Sequence, residues 1–323
     1  MACVRRIVYP DAEESIAALF TGDRLARLET LGEFAVHCGH TADPVDFLAR
    51  MGEAHAVLLG WGLPVEALRA ARHLEIVSFV GMGVANFVDL DEAARLGITV
   101  TNTPSAAESV AEHVMALMLA AARHVARHDR EVRAGEWPFD PSFDLRGKTL
   151  GMIGFGRIAA AVAPLAKAFG MRIIAWTRRP SDARAAEHGI TFTDLDTVLG
   201  ESDVLSLHLV LSPETEGLIG AEDLRKTKPG VVLINTARAE VMDEAAMIAL
   251  LRSGRIGAAG LDVFTQEPLP AGHPLTELDN VVLTPHSAYN TPEATIAMLD
   301  MAIGNVEAFY AGNPMNVVTR SAG

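Results

Sequence analysis

Short runs rich in Val, Ile and Leu alternate with amphipathic stretches along nearly the whole chain. In the first hundred residues, 5–9, 34–38, 56–60, 76–80 and 98–102 read as strands, with helices at 12–20, 44–51 and 64–71 between them. Alternation at this spacing predicts right-handed βαβ units and a parallel sheet. A long helical pattern then runs from Ala106 to about Arg133, with Ser105 placed to cap it and Gly135 to stop it. At roughly 1.5 Å per residue it would extend about 40 Å, enough to bridge two domains. A second series of strands follows at 149–153, 172–176, 204–209, 231–235, 258–263 and 281–284. These runs are almost continuously apolar, as strands buried on both faces should be. Helices are expected at 158–169, 181–188, 221–226 and 243–252, and a last one at 293–310. The expected fold is α/β, with two Rossmann-like or flavodoxin-like parallel-sheet domains.

One turn in the second series carries a specific signal. The strand 149–153 runs straight into Gly154-Phe155-Gly156-Arg157-Ile158-Ala159, a Gly-x-Gly-x-x-Ala turn that opens a helix. Gly154 permits the tight turn, Gly156 keeps side-chain atoms away from a pyrophosphate, and Ala159 lets the helix lie close to the strand. The helix N-terminus then offers N–H groups and a positive dipole end to phosphate. The next strand ends at Trp176, followed by Thr177, Arg178 and Arg179. An NAD site normally has Asp or Glu here for the ribose 2′-hydroxyl. A hydroxyl and two guanidinium groups suit a 2′-phosphate better. NADP is therefore favoured, with NAD as the alternative; the bland reading of the two arginines is a solvated turn.

Open parallel sheets bind ligands beyond the carboxyl ends of their strands. Three later loops there carry reactive groups: 235–238, 262–268 and 284–288. The Arg238 guanidinium can hold a carboxylate in bidentate fashion, and the His286 imidazole can give a proton to a ketone oxygen. A neighbouring carboxylate, Glu267, can orient the ring. Together they suit reduction of a 2-keto acid. Singly each has a structural reading: a surface ion pair, a turn carboxylate before Pro268, a capping histidine. Asp262, ending a strand, suits a bond to a cofactor amide or ribose. His208, Thr236, Ala237 and Ser287 lie on loops that would face the same cofactor.

Several ordered stretches resemble the D-isomer-specific 2-hydroxyacid dehydrogenase family, in its glyoxylate/hydroxypyruvate reductase-like form. They are 145–151, the glycine turn, 203–208, 232–238, 260–268 and 283–286, joined by 97–104 and 109–112. The likeness covers most of the chain and is weakest in the first 70 residues. It implies a substrate domain built from residues 1–104 and 291–323, with a dinucleotide-binding domain, 105–290, inserted between them. It implies hydride transfer from a nicotinamide cofactor to a small 2-keto acid, giving the D-2-hydroxy acid. His286 would be the acid/base, Glu267 its partner and Arg238 the clamp on substrate carboxylate and carbonyl. Asp262 would lie on the nicotinamide side, and Gly81, Met82 and Gly83 would offer backbone N–H groups to the substrate carboxylate. The alternative is a dinucleotide-sensing binding protein similar to the family's transcriptional corepressors, which share the catalytic groups. Ala239 and Glu240 stand where the family often has glycines, Val210 replaces a frequent proline, and the loop 81–89 is one residue longer than the commonest form.

Composition narrows the partners. A net charge of −14 disfavours nucleic acid. The longest apolar run, 114–122, is far short of the roughly 20 residues of a membrane span, and the N-terminus shows no secretory core. Two cysteines, Cys3 and Cys38, make no disulfide framework and fit a cytoplasmic location. His37, Cys38 and His40 look superficially like metal ligands, but a strand end and loop is the better reading, so no metal is expected. Val110, Val114, Leu117, Met118 and Ala121 form one apolar stripe on the long helix, and Trp137, Phe139 and Phe143 follow it. That much apolar surface predicts a homodimer.

Overall fold

The computed structural model describes residues 4–319, so Cys3 lies outside the described residues. The chain divides into two compact units: one formed by the residues up to Ala106 and from Thr291 onward, the other by Ala107–Asn290.

In the first unit, β1 (Arg6–Ala12), β2 (Glu33–Cys38), β3 (Ala56–Leu59), β4 (Ile76–Phe79) and β5 (Thr99–Thr101) form one sheet in the order β2-β1-β3-β4-β5. Every pairing is parallel, which is the flavodoxin-like doubly wound order. All positions of β3 and β4 are buried, and the one polar residue among them, Ser78, donates its hydroxyl to Ala302 O at 3.0 Å. The final helix, Pro292–Tyr310, has Pro in its first turn and Thr291 as its N-cap. Its Leu299, Ala302, Ile303 and Val306 pack with Ile7, Leu58 and Ile76 of the sheet.

The helix expected at 12–20 is mostly absent. Strand β1 continues through Ala12, and only Glu14–Ala17 is helical. The carboxylate of Asp11 accepts N–H bonds from Gly60 (3.3 Å) and Trp61 (2.9 Å), tying the end of β1 to the loop after β3. A helix not foreseen, Gly22–Leu31, buries only Leu28. It is held to the final helix by Arg24–Asp300 and Arg27–Glu307 ion pairs, both at 2.7 Å. Apolar periodicity cannot register an element fixed by charge.

In the second unit, β6 (Thr149–Ile153), β7 (Arg172–Trp176), β8 (Thr191–Phe192), β9 (Val204–Leu207), β10 (Val231–Asn235), β11 (Ile256–Leu261) and β12 (Val281–Leu283) are all parallel. Their order is β12-β11-β10-β9-β6-β7-β8. Strand order reverses between β6 and β9, the switch point where such sheets take ligands.

The long helix breaks. It forms two helices, Ala107–Ala122 and Val125–Arg133, with His124 between them in the left-handed region at φ 54°. The apolar stripe Val110, Val114, Leu117, Met118 and Ala121 is buried in this unit's own core, against residues of the sheet and of the helix Arg157–Ala168. Gly260 makes the close approach possible, since a Cβ there would lie 2.8 Å from the Leu117 Cβ. Beyond the break no residue is buried, and the second helix is laced by Arg127–Glu131 and Arg133–Asp129 pairs. Two expectations change accordingly. The stripe is not exposed, so it gives no argument for a dimer. Ser105 does not cap the helix, which starts two residues later, and its hydroxyl has no partner among the described residues. Gly135 does stop the second helix, at φ 84°.

Candidate active site

A single register row organises the site. Trp176, Ile153, Leu207, Asn235, Leu261 and Leu283 are successive partners across β7, β6, β9, β10, β11 and β12. The residues that follow them are Thr177, Gly154, His208, Thr236, Asp262 and Thr284. With strands about 4.8 Å apart, the pairing brings all the loops singled out in this unit to one edge.

At the β6 end, Gly154 takes φ 92°, and a Cβ there would lie 2.5 Å from the His208 carbonyl oxygen. No other residue type fits that turn. A Cβ at Gly156 would meet nothing within 4 Å, so space is open above the N-terminus of the helix Arg157–Ala168. That terminus has no side-chain cap, leaving first-turn N–H groups for a ligand. Ala159 is fully buried on the core side, with Ile158 packed beside it. The His208 N–H donates to Ile153 O at 2.8 Å, but its two ring nitrogens are enclosed without a partner among the described residues. Burial pushes this ring's pKa down to about 4. After β7, Arg178 and Arg179 are exposed, and their side chains have no partner among the described residues. An open cradle at a helix N-terminus, an orphaned buried imidazole and two unengaged guanidinium groups fit a dinucleotide.

Sequence reading missed Arg184. Its guanidinium donates to Phe155 O and to Arg179 O, bracing the glycine turn against the basic turn, and it lies 5.6 Å from the centroid of the Phe155 ring. Nothing in the spacing of residues 154, 179 and 184 signals this.

At the other end, the His286 Nδ1 lies 2.7 Å from Glu267 Oε2. A carboxylate only accepts, so Nδ1 carries the proton and Nε2 is the nitrogen left for chemistry. The other carboxylate oxygen of Glu267 accepts the Phe264 N–H at 3.0 Å. The carboxylate is thus held on both oxygens while remaining 37% exposed, beside a ring that is 34% exposed. His286 has φ 52°, a left-handed conformation that non-glycine residues rarely adopt.

Asp262 faces the other way. It is 0% exposed, and both oxygens of its carboxylate are bonded within the chain. Its Oδ1 accepts from the Thr284 hydroxyl (2.5 Å) and the Ser287 N–H (2.9 Å), and its Oδ2 from the Ala288 N–H (2.9 Å). Burial raises its pKa, but His113, the Thr284 hydroxyl and the two amides outweigh that and hold it below the usual carboxylate value. Asp262 therefore holds the loop that carries His286. The Ser287 amide is spent on this bond, which leaves the hydroxyl as the group of Ser287 that could meet a cofactor.

The loop after β10 is templated by buried Asn235, whose side chain accepts the Ala237 N–H and donates to Arg238 O, both at 2.9 Å. The Ala237 amide is therefore engaged, and Thr236 starts the loop. Arg238 donates Nη1 to Ala237 O at 2.7 Å and has no other side-chain partner among the described residues. Ala239 and Glu240 fall in a short 3₁₀ turn, Ala239–Val241, where the Glu240 carbonyl accepts the Gly217 N–H. In the first unit, Gly81 gives its N–H to Thr103 Oγ1 at 2.7 Å and is not available to a substrate. The amides of Met82 and Gly83 have no partner among the described residues.

Residues 115–288 match the family described as D-isomer specific 2-hydroxyacid dehydrogenase, NAD binding domain. This chain belongs to that family. It is an NAD(P)-dependent 2-hydroxyacid dehydrogenase, an oxidoreductase that reduces 2-keto acids. A glyoxylate reductase of Aeropyrum pernix is 44% identical over 283 residues, covering 84% of each chain. A hydroxypyruvate reductase of Blautia hydrogenotrophica is 34% identical, covering 91% of this chain and 94% of its own. Among solved structures, an NADPH-dependent glyoxylate/hydroxypyruvate reductase from Sinorhizobium meliloti, in complex with NADP and malonate, superposes with a TM-score of 0.82 at 32% identity, over 99% and 98% of the two chains. Among the described residues, no helix of this dehydrogenase is long and apolar enough to cross a membrane.

Proposed function

We propose that this dehydrogenase reduces a small 2-keto acid, glyoxylate or hydroxypyruvate first, to the D-2-hydroxy acid with NADPH as preferred reductant. The observation that carries the chemistry is the 2.7 Å pair of His286 Nδ1 and Glu267 Oε2. When bound, the reduced nicotinamide supplies a hydride to the carbonyl carbon. His286, as imidazolium, gives its Nε2 proton to the carbonyl oxygen, while Glu267 fixes the ring and offsets its charge. Arg238 keeps guanidinium N–H groups for the substrate carboxylate and carbonyl. The amides of Met82 and Gly83 are proposed as further donors to a carboxylate. In this reading Ala107–Asn290 is the dinucleotide-binding domain, and the other unit is the substrate domain.

NADPH is favoured over NADH because Thr177, Arg178 and Arg179 follow β7 where a ribose-binding carboxylate would otherwise stand. The NADPH-dependent relative from Sinorhizobium meliloti supports the same preference. The exposed thiol of Cys38 fits a reducing compartment such as the cytoplasm. Trp137 is 86% and Phe139 99% exposed, and a second copy of the chain is the proposed cover. Sedimentation at micromolar concentration should give a dimer; a monomer would remove that part of the reading. Initial rates over a panel of 2-keto acids with each reduced cofactor test the function. Turnover should be highest for glyoxylate or hydroxypyruvate with NADPH, and a protein that binds NADPH yet reduces none of the panel contradicts the reading.

A further inference from the structure

Behind the His286 loop lies a polar chain that the reaction as described does not use. His113, on the helix Ala107–Ala122, places Nε2 3.0 Å from the Thr284 hydroxyl oxygen and 3.5 Å from Asp262 Oδ1. The direction of the bonds follows from proton counting. Thr284 has one hydroxyl proton and gives it to Asp262 Oδ1, so its oxygen accepts from His113 and Nε2 must carry hydrogen. Donation therefore runs from His113 to Thr284 to Asp262, and Asp262 in turn accepts the N–H groups of Ser287 and Ala288. Those two residues directly follow His286, and the His286 N–H is bonded to the carbonyl of Thr284 at 3.0 Å. The left-handed backbone of His286 is thus flanked on both sides by groups tied to one buried carboxylate. A conformation of that kind persists only where its surroundings fix it.

We propose that His113 is a positioning residue for the reaction: through Thr284 and Asp262, its Nε2–H fixes the backbone on both sides of His286 and so the placement of the acid/base ring. This rests on the reading of His286 as the acid/base. Losing the donor strips one hydrogen bond from the half-buried Thr284 oxygen next to the fully buried Asp262 carboxylate, where a half-satisfied set of polar groups is costly and prone to rearrange. A shift of the His286 loop by a fraction of an ångström lowers the rate without touching the groups that bind cofactor.

The test compares His113→Leu, which removes the donor, with His113→Gln, whose amide can again donate toward Thr284. For His113→Leu, kcat should fall roughly 10- to 100-fold, while the Kd of NADPH by fluorescence titration stays within about twofold of wild type. His113→Gln should recover most of the loss. Combined with His286→Ala, the leucine variant should add no further loss, because the ring it positions is gone. Should His113→Leu fail to fold, Thr284→Val breaks the same chain and should show the same pattern. A kcat within twofold of wild type for the folded leucine or valine variant overturns the proposal. So does a double variant slower than His286→Ala by the full single-variant factor. If His286→Ala itself keeps wild-type kcat, the acid/base reading falls first. If it collapses while His113→Leu does not, only the positioning role falls.

Discussion

Two loops that leave the same register row are built in opposite ways. At one end, the carboxylates of Glu267 and Asp262 each accept hydrogen bonds on both oxygens, Glu267 from the His286 ring and Asp262 from the two amides that follow it, and His286 has a constrained backbone conformation. At the other end, Thr177, Arg178 and Arg179 leave β7 with the two arginines exposed and unpaired among the described residues. The first arrangement is preorganised, the condition for lowering a barrier. The second is solvated, so its charges are screened and can bias a choice without commanding it. Chemistry should therefore be brittle at the His286 end and adjustable at the Thr177 end.

The largest effect should come from His286→Ala. Loss of a positioned acid costs about 10²–10⁴-fold in kcat, and a variant with near-wild-type kcat would break the comparison at its rigid end. Arg238→Lys comes next, because an ammonium cannot reproduce the planar fork. The clamp it loses should lower kcat/KM by about 100-fold; an unchanged value would put the carboxylate clamp elsewhere. Thr177→Asp should shift the NADPH-to-NADH ratio of kcat/KM by about tenfold or more toward NADH, measured at one low ionic strength. An unmoved ratio would mean that the arginines are only a solvated turn.

The smallest effect concerns His208 and is read in stability. Its folded pKa, about 4, lies below the ordinary 6.5, so its contribution is fully present above pH 6.5 and is lost as pH falls toward 4. The difference in unfolding free energy between wild type and His208→Asn should therefore be constant above pH 6.5 and shift against wild type as pH falls from 6.5 toward 4. A constant difference across that window would show that the ring is not held neutral.

How much of this was legible in the sequence depended on what holds each part. The strands 149–153, 172–176 and 231–235 agree with the observed β6, β7 and β10 because buried parallel strands carry apolar runs, here 150–153, 173–176 and 231–234, with polar residues only at their ends. The glycine turn was legible because its steric demands select residue types. Gly22–Leu31 was not, since it is fixed by arginine pairs to a helix some 276 residues away in sequence. The break at His124 was hidden because both halves carry acceptable helical patterns; only the end of the buried stripe marks it. Glu267 and His286 could be picked as a pair by residue type, while the inward turn of Asp262 and the role of His113 depend on bonds across 22 and 171 positions.

The contrast between the two loops is tested most directly by exchanging the readouts of their variants, with kcat/KM for NADPH and for NADH and kcat for the 2-keto acid measured on His286→Ala and Thr177→Asp alike. His286→Ala should lose at least about 100-fold in kcat with both cofactors and keep the wild-type NADPH-to-NADH ratio. Thr177→Asp should instead move the ratio while holding kcat, with its better cofactor, within a few-fold of wild type. A His286 variant that changes cofactor preference, or a Thr177 variant that loses turnover with both cofactors, would contradict it.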